Sequence, residues 1–310
     1  MSQSLPSFES VTLIDLIRYG ATRFRKAGLT FGHSYDNAMD EATQLVLHAL
    51  GLPHDLNPVY GNAKVTAEEM AEVLELFRRR TEDRIPASYL TGEAWFAGLL
   101  FKSDARALVP RSPIAELIEA HFQPLLGDRE VYRALDLCTG SGCIAIAMAL
   151  HQPEWMVDGV DISEPALELA EENRERLMCG NVQFIRSDLF RDLGGEIYDL
   201  IVTNPPYVTH DETDALPAEY SHEPELGLRA GDDGLDLALK ILRDSPDHLS
   251  DDGLLICEVG EAEHALVRLL PDVHFEWLGF KVGDMGIFAI TREEMLAHHT
   301  QIKALADQRE

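Results

Sequence analysis

Four consecutive residues, Asn204-Pro205-Pro206-Tyr207, combine groups that can bind a planar NH2 group. The Asn204 side chain has one acceptor and two donors, the Pro205 carbonyl is a free acceptor, and Tyr207 adds an aromatic ring. Neither proline has a backbone N–H, so the chain must leave any sheet at this point. An isolated Asn-Pro pair is ordinary in turns, but here a short β-branched apolar run, 200–202, precedes it. We therefore predict a pocket for an amide or amino group at the end of a buried strand.

A second segment, Thr139-Gly140-Ser141-Gly142, can bring backbone N–H groups close to a ligand, because glycine has no Cβ in the way. Asp161 follows at the end of another predicted strand, where open α/β sheets bind a ribose diol. These two features alone fit NAD equally well. Asp136 completes the pattern DxxxGxG of S-adenosylmethionine (SAM) enzymes, and a hydride-transfer enzyme would have no use for Asn204. The predicted cofactor is therefore SAM.

A third carboxylate, Asp188, comes directly after a further predicted strand, in the segment 187–190. It can accept a hydrogen bond from the adenine amino group, while Leu189 and Phe190 can hold the ring. A polar turn would explain the same four residues. A SAM site at Asp161 favours the binding interpretation.

The order of strands and helices indicates how these segments are positioned. From residue 133 onwards short apolar strands alternate with helices, which predicts an α/β fold with a parallel sheet covered on both faces. The predicted strands are 133–138, 156–160, 182–185, 198–203, 254–259, 275–278 and 286–290. The predicted helices are 114–122, 144–150, 165–177, 235–242, 263–270 and 292–310. Open sheets of this kind bind ligands at the carboxyl ends of their strands, where Asn204 lies.

The first 86 residues follow a different pattern. Apolar residues at helical spacing predict helices over 10–27 and 36–50, and a third begins with a capping box at Thr66 and runs to Arg84. Pro86 ends this part. We predict a helical substrate-recognition domain over 1–86, a hairpin linker over 87–109 and a catalytic domain over 110–310, although helical bundles also serve as packing platforms alone.

The charge distinguishes classes of partner. The chain carries 26 Lys and Arg against 54 Asp and Glu, a net charge of −28, whereas nucleic-acid-binding proteins usually present a basic face to the phosphates. Solubility, a salty habitat or a basic protein partner would each explain the excess. The four cysteines have no CxxC spacing, and we see no secretory signal or apolar run of membrane length. We expect a cytoplasmic, reduced protein without metal, membrane contact or direct DNA binding.

The segment between Tyr207 and Leu226 is acidic and contains no Lys or Arg. Its carboxylates are Asp211, Glu212, Asp214, Glu219, Glu223 and Glu225. Beside a substrate pocket such a run would repel a phosphate backbone and attract a basic polypeptide. A solvated acidic loop is the alternative, and it too is difficult to reconcile with DNA docking.

In order and spacing, these motifs resemble the class I SAM-dependent methyltransferases. Both N6-adenine nucleic-acid methyltransferases and glutamine-N5 protein methyltransferases share the Asn-Pro-Pro-Tyr form, and both methylate a planar NH2 group. The wider pattern resembles the HemK-type protein-(glutamine-N5) methyltransferase family over nearly the whole chain. This resemblance is carried by the helical first domain, Val109-Pro110-Arg111, and the segments 222–225 and 231–234. It implies a Rossmann-like mixed seven-stranded sheet and transfer of a methyl group from SAM, leaving S-adenosylhomocysteine.

The resemblance also implies roles for individual residues. The expected catalytic residues are Asn204, Pro205, Pro206 and Tyr207. The expected SAM-binding residues are Asp136, Cys138, Thr139, Gly140, Ser141, Gly142, Asp161, Ile162, Asp188, Leu189, Phe190, Asn204 and Phe101. The expected substrate-binding residues are Asn204, Pro205, Tyr207, Arg111, His222 and Glu223.

Two substrates are possible within this family. Members that act on peptide-chain release factors typically contain PRxxTE, whereas residues 110–116 here read PRSPIAE. That departure, together with the segments 35–42 and 137–143, is similar to members that methylate a glutamine of large-subunit ribosomal protein L-three, free or in assembling ribosomal particles. A release factor is the first alternative. A second alternative is an N6-adenine nucleic-acid methyltransferase, which the acidic charge disfavours. A third is a noncatalytic SAM-binding ribosome-assembly module, which the intact Asn-Pro-Pro-Tyr segment disfavours.

Overall fold

The computed structural model describes residues 11–32, 35–281 and 283–309. Its contacts divide the chain into two compact units. The first comprises Met1–Glu93 together with Pro217–His222, and the second comprises Ala94–Leu216 together with Glu223–Glu310. The sequence pattern did not indicate that the short segment 217–222 belongs with the first unit.

Helices form the first unit: α1 (Leu13–Lys26), α2 (Ala38–Ala49), α3 (Ala67–Glu82) and the short α4 (Ala87–Thr91). The first and third begin with capping boxes at Thr12 and Thr66, and Asn37 caps the second, so each start has a side-chain acceptor for its unpaired amides. The three predicted helices are confirmed and are slightly shorter than predicted. Their apolar faces pack into one core, in which the Phe24 and Phe77 rings meet edge to face at 5.2 Å.

A buried ion network crosses this first unit. The Arg80 guanidinium, 1% exposed, donates to Glu41 at 2.7 Å, to Glu219 at 3.1 Å and to the Thr30 carbonyl at 2.9 Å. Glu219 also accepts from the Thr30 amide at 3.1 Å. Burial by itself would raise the pKa of Glu219, but its hydrogen bonds and the Arg80 charge outweigh burial and lower it. Glu219 therefore holds the segment 217–222 in the first unit.

A hairpin of β1 (Glu93–Phe96) and β2 (Leu99–Lys102) opens the second unit, apart from Glu93, which belongs to the first. Alternating strands and helices follow it. In chain order these are α5 (Ile114–Glu119), β3 (Arg133–Leu137), α6 (Cys143–His151), β4 (Met156–Asp161), α7 (Glu164–Arg176), β5 (Val182–Arg186), β6 (Tyr198–Thr203), α8 (His210–Ala215), α9 (Asp236–Asp244), β7 (Leu249–Glu258), α10 (Glu263–Leu269), β8 (Glu276–Phe280), β9 (Gly283–Thr291), α11 (Arg292–Ala297) and α12 (His299–Asp307). Three details were wrong in the prediction. The strand β7 starts five residues earlier, α8 was missed, and the last predicted helix is two helices separated at His298.

Seven strands form one mixed sheet in the order β5-β4-β3-β6-β7-β9-β8, with β9 antiparallel to both of its neighbours. This order confirms the predicted class I methyltransferase fold. From β3 the chain adds strands on one side of the sheet as far as β5 and then continues with β6 on the other side of β3. The strands β3 and β6 are parallel neighbours, with Leu137 opposite Thr203. A crevice opens where the strand order reverses, so the carboxyl ends of these two strands are where a ligand is expected.

The central strand β6 is buried on both faces. Leu200 and Val202 belong to one core cluster, whereas Tyr198 and Ile201 belong to the other. Burial on both faces explains the continuous apolar run, since a strand with one solvated face would alternate with polar residues. Within the described ranges, none of the helices combines the length and apolar character needed to cross a membrane.

Candidate active site

A cavity of about 190 Å³ lies in the second unit at the carboxyl ends of β3, β4, β5 and β6. Each of these strands contributes the residue that ends it or the residues that follow it. The predicted site residues that line the cavity are Cys138, Gly140, Asp161, Ile162, Asp188, Leu189, Asn204 and Pro206. Four segments that are far apart in the sequence are thus brought to one cavity by the parallel strands.

The turn from β3 to α6 approaches the cavity closely because of its backbone conformation. Cys138, Gly140 and Gly142 all have positive φ angles, of 60°, 54° and 77°. A Cβ at Gly142 would lie 2.8 Å from the Phe184 ring and 2.9 Å from Ala170, so a side chain here is excluded sterically as well as conformationally. Cys138 adopts the left-handed region without being glycine, a strained conformation that is common at functional sites.

Asp161, the last residue of β4, is oriented by two backbone amides. Its Oδ2 accepts from the Gly140 N–H and its Oδ1 from the Ser163 N–H, both at 2.9 Å. Burial raises its pKa, although the two amide donors oppose the shift. An ionised carboxylate offers about four acceptor sites, so Asp161 keeps acceptor capacity for a ligand while its orientation is held.

Asp136 lies behind this turn and does not line the cavity. Its Oδ2 accepts from the Thr139 hydroxyl at 2.5 Å and from the Ala145 amide at 3.0 Å, which ties β3 to the turn and to the first turn of α6. Among the described residues its Oδ1 has no hydrogen-bond partner. Complete burial raises the pKa of Asp136 to about 7.

The end of β6 is held from both sides. The Thr203 hydroxyl donates to the Leu137 carbonyl at 2.8 Å, which joins β6 to β3 just before Asn204. Beyond the two prolines, the Tyr207 hydroxyl donates to Glu258 at 2.8 Å. Asn204 therefore faces the cavity on a segment that is anchored before and after it.

Comparison with known proteins identifies the family. A family model described as "Methyltransferase small domain" matches residues 118–219. The ribosomal protein uL3 glutamine methyltransferase of Xanthomonas campestris pv. campestris is 71% identical over 298 residues, which are 96% of this chain and 97% of that protein. The protein of the same name from Xylella fastidiosa strain 9a5c is 67% identical over 96% of both chains.

This chain belongs to the ribosomal protein uL3 glutamine methyltransferase family. The family predicted from the motifs is thereby confirmed. Among solved structures, a methyltransferase from Pyrococcus furiosus is 21% identical, with 63% of this chain and 89% of that chain covered and a TM-score of 0.46.

Two of the predicted substrate residues bind each other in this member of the family. Arg111 donates to both carboxylate oxygens of Glu223, at 2.5 and 2.7 Å, and the Glu223 side chain is buried. Their direct contact with a substrate stays a prediction. His222, another predicted substrate-binding residue, lies in the first unit and hydrogen-bonds through Nε2 to the Asp83 carbonyl at 2.7 Å.

Several predicted cofactor residues do not reach the cavity wall. Phe101 is fully buried in the core, where its ring meets Phe96 at 6.3 Å, and it does not line the cavity. Phe190 is buried and stacks on His248 at 4.7 Å. Thr139, Ser141 and Gly142 are likewise not among the lining residues.

The sequence interpretation missed part of the wall. The additional lining residues are Arg106, Ala107, Leu108, Val160, Ser163, Ala166, Ser187, Pro224, Leu226, Gly227 and Leu237. The first three immediately precede the Val109-Pro110-Arg111 motif, and Pro224 lies within the segment 222–225, so adjacency to those motifs was a usable signal. Within the described part of the chain, no group of three His, Cys, Asp or Glu is arranged to hold a metal ion.

The acidic run after Tyr207 is less available than its composition indicated. Glu219 and Glu223 are buried and paired with Arg80 and Arg111 within the protein. Both arginines lie more than 100 residues earlier in the chain, so the run without Lys or Arg only looked unpaired. The argument for a basic partner therefore rests on the exposed carboxylates alone.

Proposed function

We propose that this protein transfers a methyl group from SAM to the side-chain N5 of a glutamine in ribosomal protein uL3. One observation carries the proposal: Asn204 lines the same cavity as Asp161 and Asp188, in a chain 71% identical to a uL3 glutamine methyltransferase. The cavity thus combines the predicted amide-binding group with the predicted cofactor-binding groups.

The cavity wall has hydrogen-bond acceptors and apolar surface where SAM requires them. Asp161 suits a ribose diol and Asp188 an adenine amino group, while Ile162 and Leu189 offer apolar surface to the ring. The one arginine among the lining residues, Arg106, is bound by Asp104 and Glu172 at 2.8–3.0 Å, so the wall favours a ligand with positive charge. When bound, SAM supplies an electrophilic methyl group on a sulfonium.

The protein's main task is to orient a weak nucleophile. A carboxamide nitrogen donates its lone pair to the adjacent carbonyl and reacts poorly. The Asn204 side-chain oxygen and the Pro205 carbonyl accept the two amide hydrogens, which aims the nitrogen at the methyl group and disperses its developing positive charge. Tyr207 packs against the substrate amide. The proton leaves to water after transfer.

A basic protein substrate fits the charge of this chain. Asp211, Glu212 and Glu225 remain exposed near Asn204 in the sequence, and the net charge is −28. Such a surface accelerates encounter with a basic polypeptide and opposes a phosphate backbone. This supports a ribosomal protein as the partner, in agreement with the names of the relatives.

The test uses SAM with a labelled methyl group and two purified substrates, uL3 and a peptide-chain release factor. We expect label on one glutamine side chain of uL3, located by mass spectrometry, and none with the Asn204→Ala variant. Label on the release factor alone would preserve the chemistry and overturn the substrate. Absence of label on both proteins would overturn the proposed function. Parallel reactions with free uL3 and with assembling large subunits separate the two forms of the substrate.

A further inference from the structure

Tyr207 is confined at three points. Its hydroxyl donates to Glu258 Oε1 at 2.8 Å. A Cβ at Gly260 would lie 2.6 Å from its ring, and a Cβ at Gly234 would lie 2.2 Å from its carbonyl oxygen. Both glycines have positive φ angles, 51° and 76°, so their conformation and the space around them both exclude a side chain. The fold thus specifies one position for this tyrosine.

Glu258 is an unusual partner for that hydroxyl. It is the last residue of β7 and only 4% exposed. It accepts from the Tyr207 hydroxyl and, through Oε2, from the Ser112 hydroxyl at 2.5 Å. Among the described residues no Lys or Arg lies within salt-bridge distance of it, although the nearby Arg111 charge favours its ionised form. Burial still raises the pKa of Glu258.

A buried carboxylate without an ion pair costs stability, and a well-packed neutral side chain at the same place would avoid that cost. Stability alone therefore does not explain Glu258. What it does contribute is a connection between two motifs. Ser112 follows Arg111, and Tyr207 follows the two prolines, so one carboxylate joins both segments.

We infer that Glu258 is a positioning residue for methyl transfer: it acts through the Tyr207 hydroxyl to keep the segment from Asn204 to Tyr207 in one geometry. The inference rests on the proposed function, in which Asn204 and Pro205 orient the substrate amide. Such alignment is sensitive to small displacements, because a shift of about 1 Å can cost about 100-fold in rate. Ser112 completes the pair of hydroxyl donors and holds the carboxylate itself.

The same strand provides a matched control. At the other end of β6, the hydroxyl of Tyr198 donates to the buried carboxylate of Asp158, also at 2.8 Å. This bond is far from Asn204 along the strand and contributes no residue to the cavity wall. Removing one hydroxyl from each tyrosine therefore makes the same chemical change at the amino end of β6 and in the segment that follows its carboxyl end.

The experiment measures kcat, the KM for uL3 and SAM affinity in the whole protein for Tyr207→Phe, Glu258→Gln, their double variant and Tyr198→Phe. We expect each of the first two to lower kcat about 10- to 100-fold with unchanged SAM affinity. The double variant should be no slower than the worse single variant, because Tyr207→Phe already removes the donor of the contact that Glu258→Gln alters. Tyr198→Phe should lower the thermal midpoint and leave kcat unchanged.

Unchanged kcat in Tyr207→Phe, or multiplicative losses in the double variant, would overturn the inference. A loss of kcat that Tyr198→Phe reproduces would also overturn it, since it would then follow from stability alone. If Glu258→Gln does not fold, Tyr207→Phe combined with Ser112→Ala replaces it, because each removes one donor to the carboxylate. A wild-type protein that leaves uL3 unmethylated overturns the proposed function, and the inference with it.

Discussion

The two ends of strand β6 use the same contact in different surroundings. At the amino end Tyr198 donates to Asp158, which also binds the Arg133 guanidinium at 2.7 and 3.1 Å, and that guanidinium lies 5.2 Å above the Tyr198 ring. At the carboxyl end Tyr207 donates to Glu258, whose other hydrogen-bond donor is a hydroxyl. Asp158 is bound by a guanidinium and a hydroxyl, whereas Glu258 is bound by two hydroxyls.

This difference extends beyond the two tyrosines. Asp136, Asp161 and Glu258 all lie at the carboxyl side of the sheet, and burial raises the pKa of each. Among the described residues their donors are hydroxyls and backbone amides rather than Lys or Arg. Such perturbed groups cluster at functional sites. The amino end is held by an ion pair, whereas the carboxyl end holds buried carboxyl groups whose surroundings favour the neutral form more than water does.

The largest effect should follow from Asn204→Ala. We expect kcat for uL3 methylation to fall about 10²- to 10³-fold, because an oriented group that stabilises developing charge is lost. SAM affinity, measured by calorimetry, should remain unchanged. Exposed Asn62 is the control, and Asn62→Ala should keep full activity. An active Asn204→Ala variant would show that the carboxyl end of β6 does not have the catalytic role that distinguishes it from the amino end.

The next largest effect belongs to the amino end. Arg133→Met leaves Asp158 buried with only the Tyr198 hydroxyl, so the free energy of unfolding should fall by about 2 to 4 kcal/mol. Urea unfolding measures this loss, and the activity of the folded fraction should not change. Arg186, which pairs with Glu164 in an exposed position, provides the control: Arg186→Met should cost less than about 1 kcal/mol. A fall in kcat of folded Arg133→Met would contradict the separation of roles.

A third test compares two aspartates that each accept from two backbone amides. Asp161 accepts from Gly140 and Ser163 at the carboxyl end, and Asp199 from Tyr132 and Arg133 at the amino end. Asp161→Ala should weaken SAM binding about 10- to 100-fold, since a hydrogen bond to a charged group is lost. Asp199→Ala should lower stability and leave SAM affinity unchanged. Equal SAM affinity in both variants would refute the ribose role of Asp161.

The smallest effect concerns pH. Burial raises the pKa of Asp136 from its ordinary 3.8 to about 7 in the folded protein, so between these pH values the folded state keeps a proton that the unfolded state has lost. Stability from this group therefore falls as pH rises toward 7 and is constant above it. Asp136→Asn removes this dependence. Relative to wild type, the variant should gain about 1 kcal/mol between pH 6 and pH 8 in urea unfolding.

Exposed Asp252 serves as the control for that measurement. Asp252→Asn should differ from wild type by the same amount at both pH values. A constant difference between Asp136→Asn and wild type would show that Asp136 does not change its protonation between pH 6 and pH 8.

Much of the second unit could be predicted from the order of its residues. Apolar runs separated by glycine and proline indicated the seven strands. Asn204, Asp161 and Asp188 line one cavity, as their predicted positions at the carboxyl ends of parallel strands led us to expect. The early start of β7 was missed because residues 250–252 are polar and carry no strand pattern. Periodicity reports burial, so a strand segment that leaves the core gives no signal.

What the sequence by itself determined is local: which segments are helix or strand, and which carry groups for an amide and for SAM. What only the tertiary structure decided is pairing over long distances. Glu219 and Glu223 looked like a free acidic surface until the fold brought Arg80 and Arg111 to them. No sequence motif marks Glu258, and only the fold shows that the hydroxyls of Tyr207 and Ser112 donate to it at the end of β7. Charge and burial depend on neighbours in space, which residues adjacent in the chain do not reveal.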